Sequence, residues 1–226
     1  MGNEFIRIHA KLARDHIDSN IKLLESGSGA PLLKEIERFF ESWVEADKLV
    51  SEVLKNSGEE SMMHFVIDLI WFPSLFSVVM NILVSTLDGV SRTIRFLLEG
   101  LELGLILDCN NEFKKLSLGE KWRLVAEFDS SRLMTYIEKL LQKDTLGELK
   151  EFYSILSERW VHAPTYLTKL LQDTSRKGEL PPTVLYFPPL EERKDEVDEL
   201  AKILSKFNEY ALILIKEWKE RYLRDK

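Results

Sequence analysis

The sequence contains a single cysteine, Cys109, and four histidines among its 226 residues. One thiol cannot form a disulfide framework within the chain, and it cannot supply a cysteine-based zinc site. Glycine and proline are sparse, at 10 and 7 residues, which excludes collagen-like and low-complexity chains. The motifs GxxxxGK[ST], GxGxxG and GxSxG do not occur, so P-loop, Rossmann and serine-hydrolase chemistry has no support.

The composition is that of an ordinary globular chain, with 45% hydrophobic and 31% charged residues. The formal net charge of -7 argues against general capture of nucleic acid or anionic lipid, but it leaves room for a local basic patch. Only two glutamines occur among abundant Glu, Lys, Leu and Ile, which resembles the composition of thermophile proteins. The first residues have no apolar signal-peptide core and no myristoylation signal, so we expect a cytoplasmic protein.

Apolar residues recur at steps of three and four along most of the chain, and no segment alternates with a period of two. This pattern predicts an all-α fold: a bundle of long antiparallel helices forming one domain over 1–226. The C-terminal helix shows the clearest apolar line: Val197, Leu200, Leu204, Phe207, Ala211, Leu214, Trp218 and Tyr222. We expect the Pro-rich segment near 178–190 to be extended.

The segment from Leu69 to Leu87 has no charged residue and is long enough to cross a bilayer. Pro73 and Asn81 interrupt it, so we interpret it as a buried core helix that Pro73 kinks or breaks. Membrane insertion is the alternative, and we expect no membrane contact. Apolar surface on 65–87 and along the C-terminal helix predicts a possible homodimer.

Polar residues form a stripe along one side of the long helix predicted from Pro73 to Asp108. Its members follow steps of four and three: Asn81, Ser85, Asp88, Arg92, Arg95, Glu99 and Glu102. The remaining residues of this helix are mostly apolar, so the charges must find partners on the same helix or on its neighbours. The stripe is either a thin solvated seam or the lining of a functional site. Gly100 and Gly104 have the spacing that lets a neighbouring backbone approach closely.

SRTIRFLLEGLELGLILD (91–108), followed by FYSILSERWVHAP (152–164), resembles the helical HEPN superfamily, and within it the abortive-infection-related and uncharacterised prokaryotic proteins. These families pair an R-x-x-x-E element with a later Tyr-x-x-x-Ser…His element. The matching pairs here are Arg95 with Glu99 and Tyr153 with Ser157, followed by His162. The resemblance implies a scaffold that binds a partner, a nucleotide or RNA in a defence or toxin–antitoxin system.

Ribonucleases of this superfamily carry an Arg followed by a His after four to six intervening residues. Here Arg159 and His162 have two residues between them, which departs from that pattern. The alternative function is therefore a metal-independent ribonuclease with a variant site, and a third is a purely structural or oligomeric scaffold. His162 is either an exposed helix-terminal histidine or the group that moves the proton.

The candidate site residues fall into two sets. The catalytic candidates are Arg95, Glu99, Arg159 and His162, and the ligand-binding candidates are Arg92, Glu102, Tyr153 and Ser157. Glu60 with His64, and Glu158 with His162, have a metal-compatible spacing of four. Neither has the Glu-x-x-His form of bundle metal sites, so no metal and no other cofactor is predicted.

Overall fold

The structure is a computed structural model that describes residues 2–57, 60–160 and 189–224. These residues contain no β-strand, which confirms the all-α fold class. The α-helices are α1 Gly2–Glu25, α2 Ala30–Ser57, α3 Met62–Phe65, α4 Phe72–Leu83, α5 Leu87–Cys109, α6 Leu118–Val125, α7 Ser130–Ile137, α8 Lys143–Trp160 and α9 Lys194–Arg224. A π-helical segment, Val66–Trp71, joins α3 to α4, and a 3₁₀ turn, Leu190–Glu192, precedes α9.

Helix α5 lies at the centre of the packing, in contact with α3, the π-helical segment, α4, α7, α8 and α9. Helix α9 packs on both α2 and α5. The apolar line predicted for α9, from Val197 to Tyr222, is buried at every position. That part of the hydrophobic pattern therefore predicted the inward face of the helix correctly.

The predicted single helix from Pro73 to Asp108 is wrong, because the chain turns between Leu83 and Leu87. Ser85 has a φ of 62°, in the left-handed region that side chains other than glycine rarely adopt. Buried Asn20 of α1 holds this turn: its Nδ2 donates to Leu83 O and to Ser85 Oγ, both at 2.8 Å. Asn81 and Ser85 therefore lie outside α5, which contains the other members of the polar stripe.

Pro73 does not break its helix, because Met62–Leu83 is a continuous helical stretch. The π-helical segment ends two residues before Pro73, so Pro73 lies directly after the change in backbone hydrogen bonding. This stretch is long and apolar enough to cross a membrane by length and composition. The expected fully buried core helix is wrong in part, since Leu69, Phe72 and Phe76 are exposed.

The glycines of α5 allow the close approach that their spacing predicts. A Cβ on Gly104 would lie 3.1 Å from Met63 Cα, and one on Gly100 would lie 3.4 Å from Val66 Cγ1. Ser117 and Glu120 have the spacing of a capping box in the sequence, and the structure confirms this box at the start of α6, with Glu120 accepting from the Ser117 backbone N–H at 2.9 Å. Apart from Pro189 and Leu190, the predicted extended segment 178–190 lies outside the described residues.

A buried carboxylate, Asp108, ties the end of α5 to three other segments. It accepts five hydrogen bonds, at 2.6–3.1 Å, from Ser61 Oγ, Met62 N, Met63 N, Lys121 Nζ and Trp218 Nε1. The Lys121 side chain is itself buried, so the two charges form an enclosed ion pair. Removing one partner of such a pair leaves the other charge buried and uncompensated.

We expect Asp108→Ala to destabilise the fold by about 3–5 kcal/mol, because Lys121 and the other donors lose their acceptor. Urea denaturation followed by circular dichroism measures this loss. Asp88→Asn, which removes a half-buried acid from the same helix that has one weak ion pair, is the control and should change stability by less than about 0.5 kcal/mol. Equal, small effects of both substitutions would show that Asp108 does not anchor the helices.

Candidate functional site

Arg95 lies at the centre of a polar cluster where α5 meets α7 and α8. Its Nε donates to Glu99 Oε1 at 3.1 Å, its NH1 to Ser157 Oγ at 2.8 Å and its NH2 to Ser130 Oγ at 3.2 Å. Ser130 in turn donates to Glu99 Oε1 at 2.9 Å. The guanidinium carbon lies 5.9 Å from the centre of the Tyr153 ring. Side chains from three helices therefore fix the orientation of one partly exposed arginine.

The start of α7 places Ser130 in this cluster. The N-cap of α7 is the preceding residue, Asp129, whose side chain accepts from Arg132 N at 2.8 Å. Because Asp129 satisfies the helix end, the hydroxyl of Ser130 is free to contact Arg95 and Glu99. Ser130 is the cluster residue that the sequence did not single out as a site residue, and its capping-type position was the only available signal.

A second pair, Glu102 and Tyr153, lies one turn deeper along α5. Glu102 is fully buried, and its Oε2 accepts a hydrogen bond from the Tyr153 hydroxyl at 2.9 Å. Oε1 of Glu102 is enclosed and has no hydrogen-bond partner in the structure. Burial raises the pKa of Glu102 to about 8, the Tyr153 bond lowers it, and the charge of Glu99 raises it.

Tyr153 is affected by the same surroundings. Burial raises the pKa of its phenol well above the usual range, and Glu102 and Glu99 act in the same direction while Arg95 opposes them. The phenol therefore stays protonated and donates to Glu102. The cluster thus has a charged outer part, Arg95 with Glu99. Its inner part, Glu102 with Tyr153, keeps its protons at neutral pH.

Arg92 is separated from this cluster, although it belongs to the same predicted stripe. Its guanidinium is 62% exposed and lies 3.6 Å from Asp88 Oδ2. It lines a different feature, an open groove of about 370 Å³ between α4 and α5, whose other lining residues are Pro73, Ser74, Ser77, Thr93 and Phe96. The groove places an exposed cation and the exposed ring of Phe96 one helical turn apart.

The structure thus brings together five of the eight candidate residues: Arg95, Glu99, Glu102, Tyr153 and Ser157. It places Arg92 in the groove on another side of α5. Arg159 belongs to the last turn of α8, but its side chain lies outside the described residues, as does all of His162. Tyr153 and Ser157 do not pair with each other in these contacts; each bonds instead to a residue of α5.

Comparison of the chain with protein-family models, with curated proteins and with solved structures finds no match. The evidence for a function therefore comes from the chemistry of the cluster and of the groove. In the cluster, Arg95 is neutralised by Glu99, and each of its three nitrogens donates to a side chain of the cluster. In the groove, Arg92 makes one weak, exposed ion pair and offers its remaining donors to a ligand.

Burial of Glu102 makes the stability of the fold dependent on pH. In the folded chain Glu102 keeps its proton up to about pH 8, whereas in the unfolded chain it releases the proton near the ordinary pKa of 4.5. Between these values unfolding releases a proton, so this group favours the fold at low pH. Its contribution falls by up to about 1.4 kcal/mol for each unit that the pH rises.

We therefore expect Glu102→Gln to become more stable relative to wild type as the pH rises from 5 to 8, because glutamine carries no ionisable proton but keeps an acceptor for Tyr153. Urea denaturation at pH 5, 6, 7 and 8 measures the difference between the two proteins. Glu220→Gln, an exposed acid paired with Arg224, is the control and should show a nearly constant difference. A constant difference for Glu102→Gln as well would contradict the raised pKa.

Proposed function

We propose that this chain is a HEPN-like helical protein that binds a nucleotide or RNA in a defence or toxin–antitoxin system. The observation that carries the proposal is the open groove between α4 and α5, which combines Arg92, Phe96 and three hydroxyl side chains. A bundle of long antiparallel helices with an extended segment near 178–190 and a cytoplasmic location are parts of the same proposal.

The chemistry of the groove suits a single nucleotide unit. Its volume of about 370 Å³ lies within the usual range for ligand sites. Phe96 is 57% exposed and offers a face on which a base can stack. Arg92 is four residues earlier on α5, so its guanidinium is on the same face as the ring and can bind a phosphate. The hydroxyls of Ser77 and Thr93, 3.5 Å apart, add polar contacts at the floor.

A second candidate function is metal-independent RNA cleavage at the Arg95 cluster. It is favoured by the fixed guanidinium of Arg95, held by Glu99, Ser130 and Ser157, because a preorganised cation stabilises the charge that develops on a phosphate. In this mechanism Arg159 adds a second cation and His162 moves the proton. The same cluster has a purely structural function if it neither binds nor cleaves RNA.

We also propose that the protein associates with a second copy through an apolar face on α2 and α4. The face consists of exposed large side chains: Phe40, Val44, Leu69, Phe72 and Phe76. Trp43 of α2 contacts Phe72 with ring centres 5.1 Å apart, which joins the two helices into one surface. Phe76, 71% exposed, is the most protruding member. An apolar face of this kind matches itself in a twofold dimer.

A second copy suits this face better than a membrane does. The exposed acids Glu41 and Glu45 alternate with Phe40 and Val44 along α2, and the chain carries a net charge of -7. Acidic side chains at the rim of an apolar face are repelled by anionic lipid head groups. In this proposal, one face of the apolar stretch Met62–Leu83 packs in the core, and the other face contacts the second copy.

RNA binding is tested by fluorescence anisotropy with a labelled 12-nucleotide RNA of mixed sequence and, separately, with ATP as competitor. We expect Arg92→Ala and Phe96→Leu each to weaken binding by about tenfold, through loss of the phosphate contact and of the stacking ring. Phe96→Tyr, which keeps the ring, and Arg38→Ala, which removes an exposed arginine of α2, should bind as wild type. Binding that is absent, or unaffected by the first two substitutions, would contradict the proposal.

The same RNA, incubated with the protein and analysed by gel electrophoresis, separates binding from cleavage. Cleavage that is lost in both His162→Ala and Arg95→Ala supports the ribonuclease mechanism. Cleavage that persists unchanged in both variants comes from elsewhere and excludes it. Intact RNA that still binds the wild-type chain supports a binding protein without nuclease chemistry.

We expect the chain to purify without detergent and to elute as a dimer in size-exclusion chromatography with light scattering. Phe76→Glu should give a monomer, because it places a charge at the centre of the apolar face. Leu223→Glu, at an exposed apolar residue of α9, is the matched control and should leave the dimer intact. A wild-type monomer would refute the proposed interface, and a requirement for detergent would favour membrane association instead.

A further inference from the structure

A cluster of three metal-ligand side chains lies on another part of the surface, where α2 meets the start of the π-helical segment. Asp47 of α2, His64 of α3 and Asp68 of the π-helical segment each offer one ligand atom, and these atoms lie within 4.8 Å of one another. His64 Nε2 is 3.3 Å from Asp68 Oδ2. Atoms bound to one ion by bonds of about 2.0–2.2 Å lie within about 4.4 Å of one another, so small rotations of these three side chains bring all three atoms to one ion.

The local backbone brings these residues together. His64 and Asp68 are four residues apart across the junction of α3 with the π-helical segment, where the helix widens. Turns of this kind occur often at functional sites, because the extra residue changes the direction of the neighbouring side chains. The packing of α2 on the π-helical segment adds Asp47 from more than fifteen residues away. Glu60, which the sequence suggested as a partner of His64, is not part of the group.

The cluster differs from an ordinary histidine–aspartate ion pair in two respects. Two carboxylates face one imidazole, so a singly charged imidazolium would leave a net negative charge. In addition, Nδ1 of His64 is enclosed and has no hydrogen-bond partner in the structure, so Nε2 is the ring nitrogen that faces the carboxylates. A divalent cation bound at Nε2 neutralises both carboxylates and joins the elements that carry the three ligands.

We propose that Asp47, His64 and Asp68 bind a divalent transition-metal ion of the Zn²⁺ class. The mixed imidazole and carboxylate ligands suit Zn²⁺ better than Mg²⁺ or Ca²⁺, which prefer oxygen ligands alone. The side chains of His64 and Asp68 are 38% and 44% exposed, so a fourth position remains open to water. The ion connects α2 to the π-helical segment independently of the groove and of the Arg95 cluster.

Isothermal titration of the chelator-treated, full-length protein with ZnCl₂ tests the site. We expect one Zn²⁺ per chain, with affinity reduced by more than about tenfold in His64→Ala, Asp68→Asn and Asp47→Asn. The matched controls are His16→Gln and Asp144→Asn, which remove the same residue types from α1 and α8 and should bind as wild type. Circular dichroism of each variant checks that the fold is retained.

A second measurement uses the stability of the protein, so that it does not depend on the heat of binding. Excess Zn²⁺ should raise the melting temperature of the wild-type chain and of the two controls, but not that of His64→Ala. The proposal is overturned if the wild-type chain binds no Zn²⁺, or if the three ligand variants bind it as tightly as the controls. Either result would leave the cluster as a surface ion pair.

Discussion

The buried carboxylate of Asp108 is the contact on which the arrangement of the helices depends. A charge enclosed in an apolar interior is costly unless every acceptor position is used, and Asp108 receives donors from the start of α3, from α6 and from α9. Three segments far apart in sequence are thereby fixed to one end of α5. Because α5 also carries Arg92, Phe96, Arg95 and Glu99, the positions of both candidate sites follow from how this helix is held against its neighbours.

The hydrophobic pattern correctly predicted features of the fold that depend on residues close in sequence. It did not predict the features that depend on contacts between residues distant in sequence. The inward line of α9 and the capping box at Ser117 follow from spacing alone, and both are confirmed. The break between α4 and α5 cannot be predicted from spacing, because the apolar pattern continues across it. Asn20 stabilises the left-handed Ser85 from 65 residues away in the chain. No periodicity within α4 or α5 carries that information.

The contacts of the candidate site were likewise predictable only in part. The spacing of four predicted the contact between Arg95 and Glu99, and the family resemblance supplied Tyr153 and Ser157. The separation of Arg92 from Arg95 was not predictable, because it depends on which neighbours surround α5. Three residues rotate a helix by about 300°, so two members of one polar stripe can face different helices. Here Arg92 faces the groove beside α4, while Arg95 faces α7 and α8.

The charges around α5 suit two different tasks. Arg95 is already neutralised by Glu99, and the neighbouring Glu102 adds a further negative charge once it loses its proton. Such a cluster attracts a phosphate weakly, but it holds its guanidinium in a fixed direction, which is what stabilising a short-lived charge requires. Arg92 is exposed and weakly paired, and it lies beside an exposed ring, which is what ground-state binding requires. Binding in the groove and chemistry at the cluster are therefore separable, and loss of the second need not remove the first.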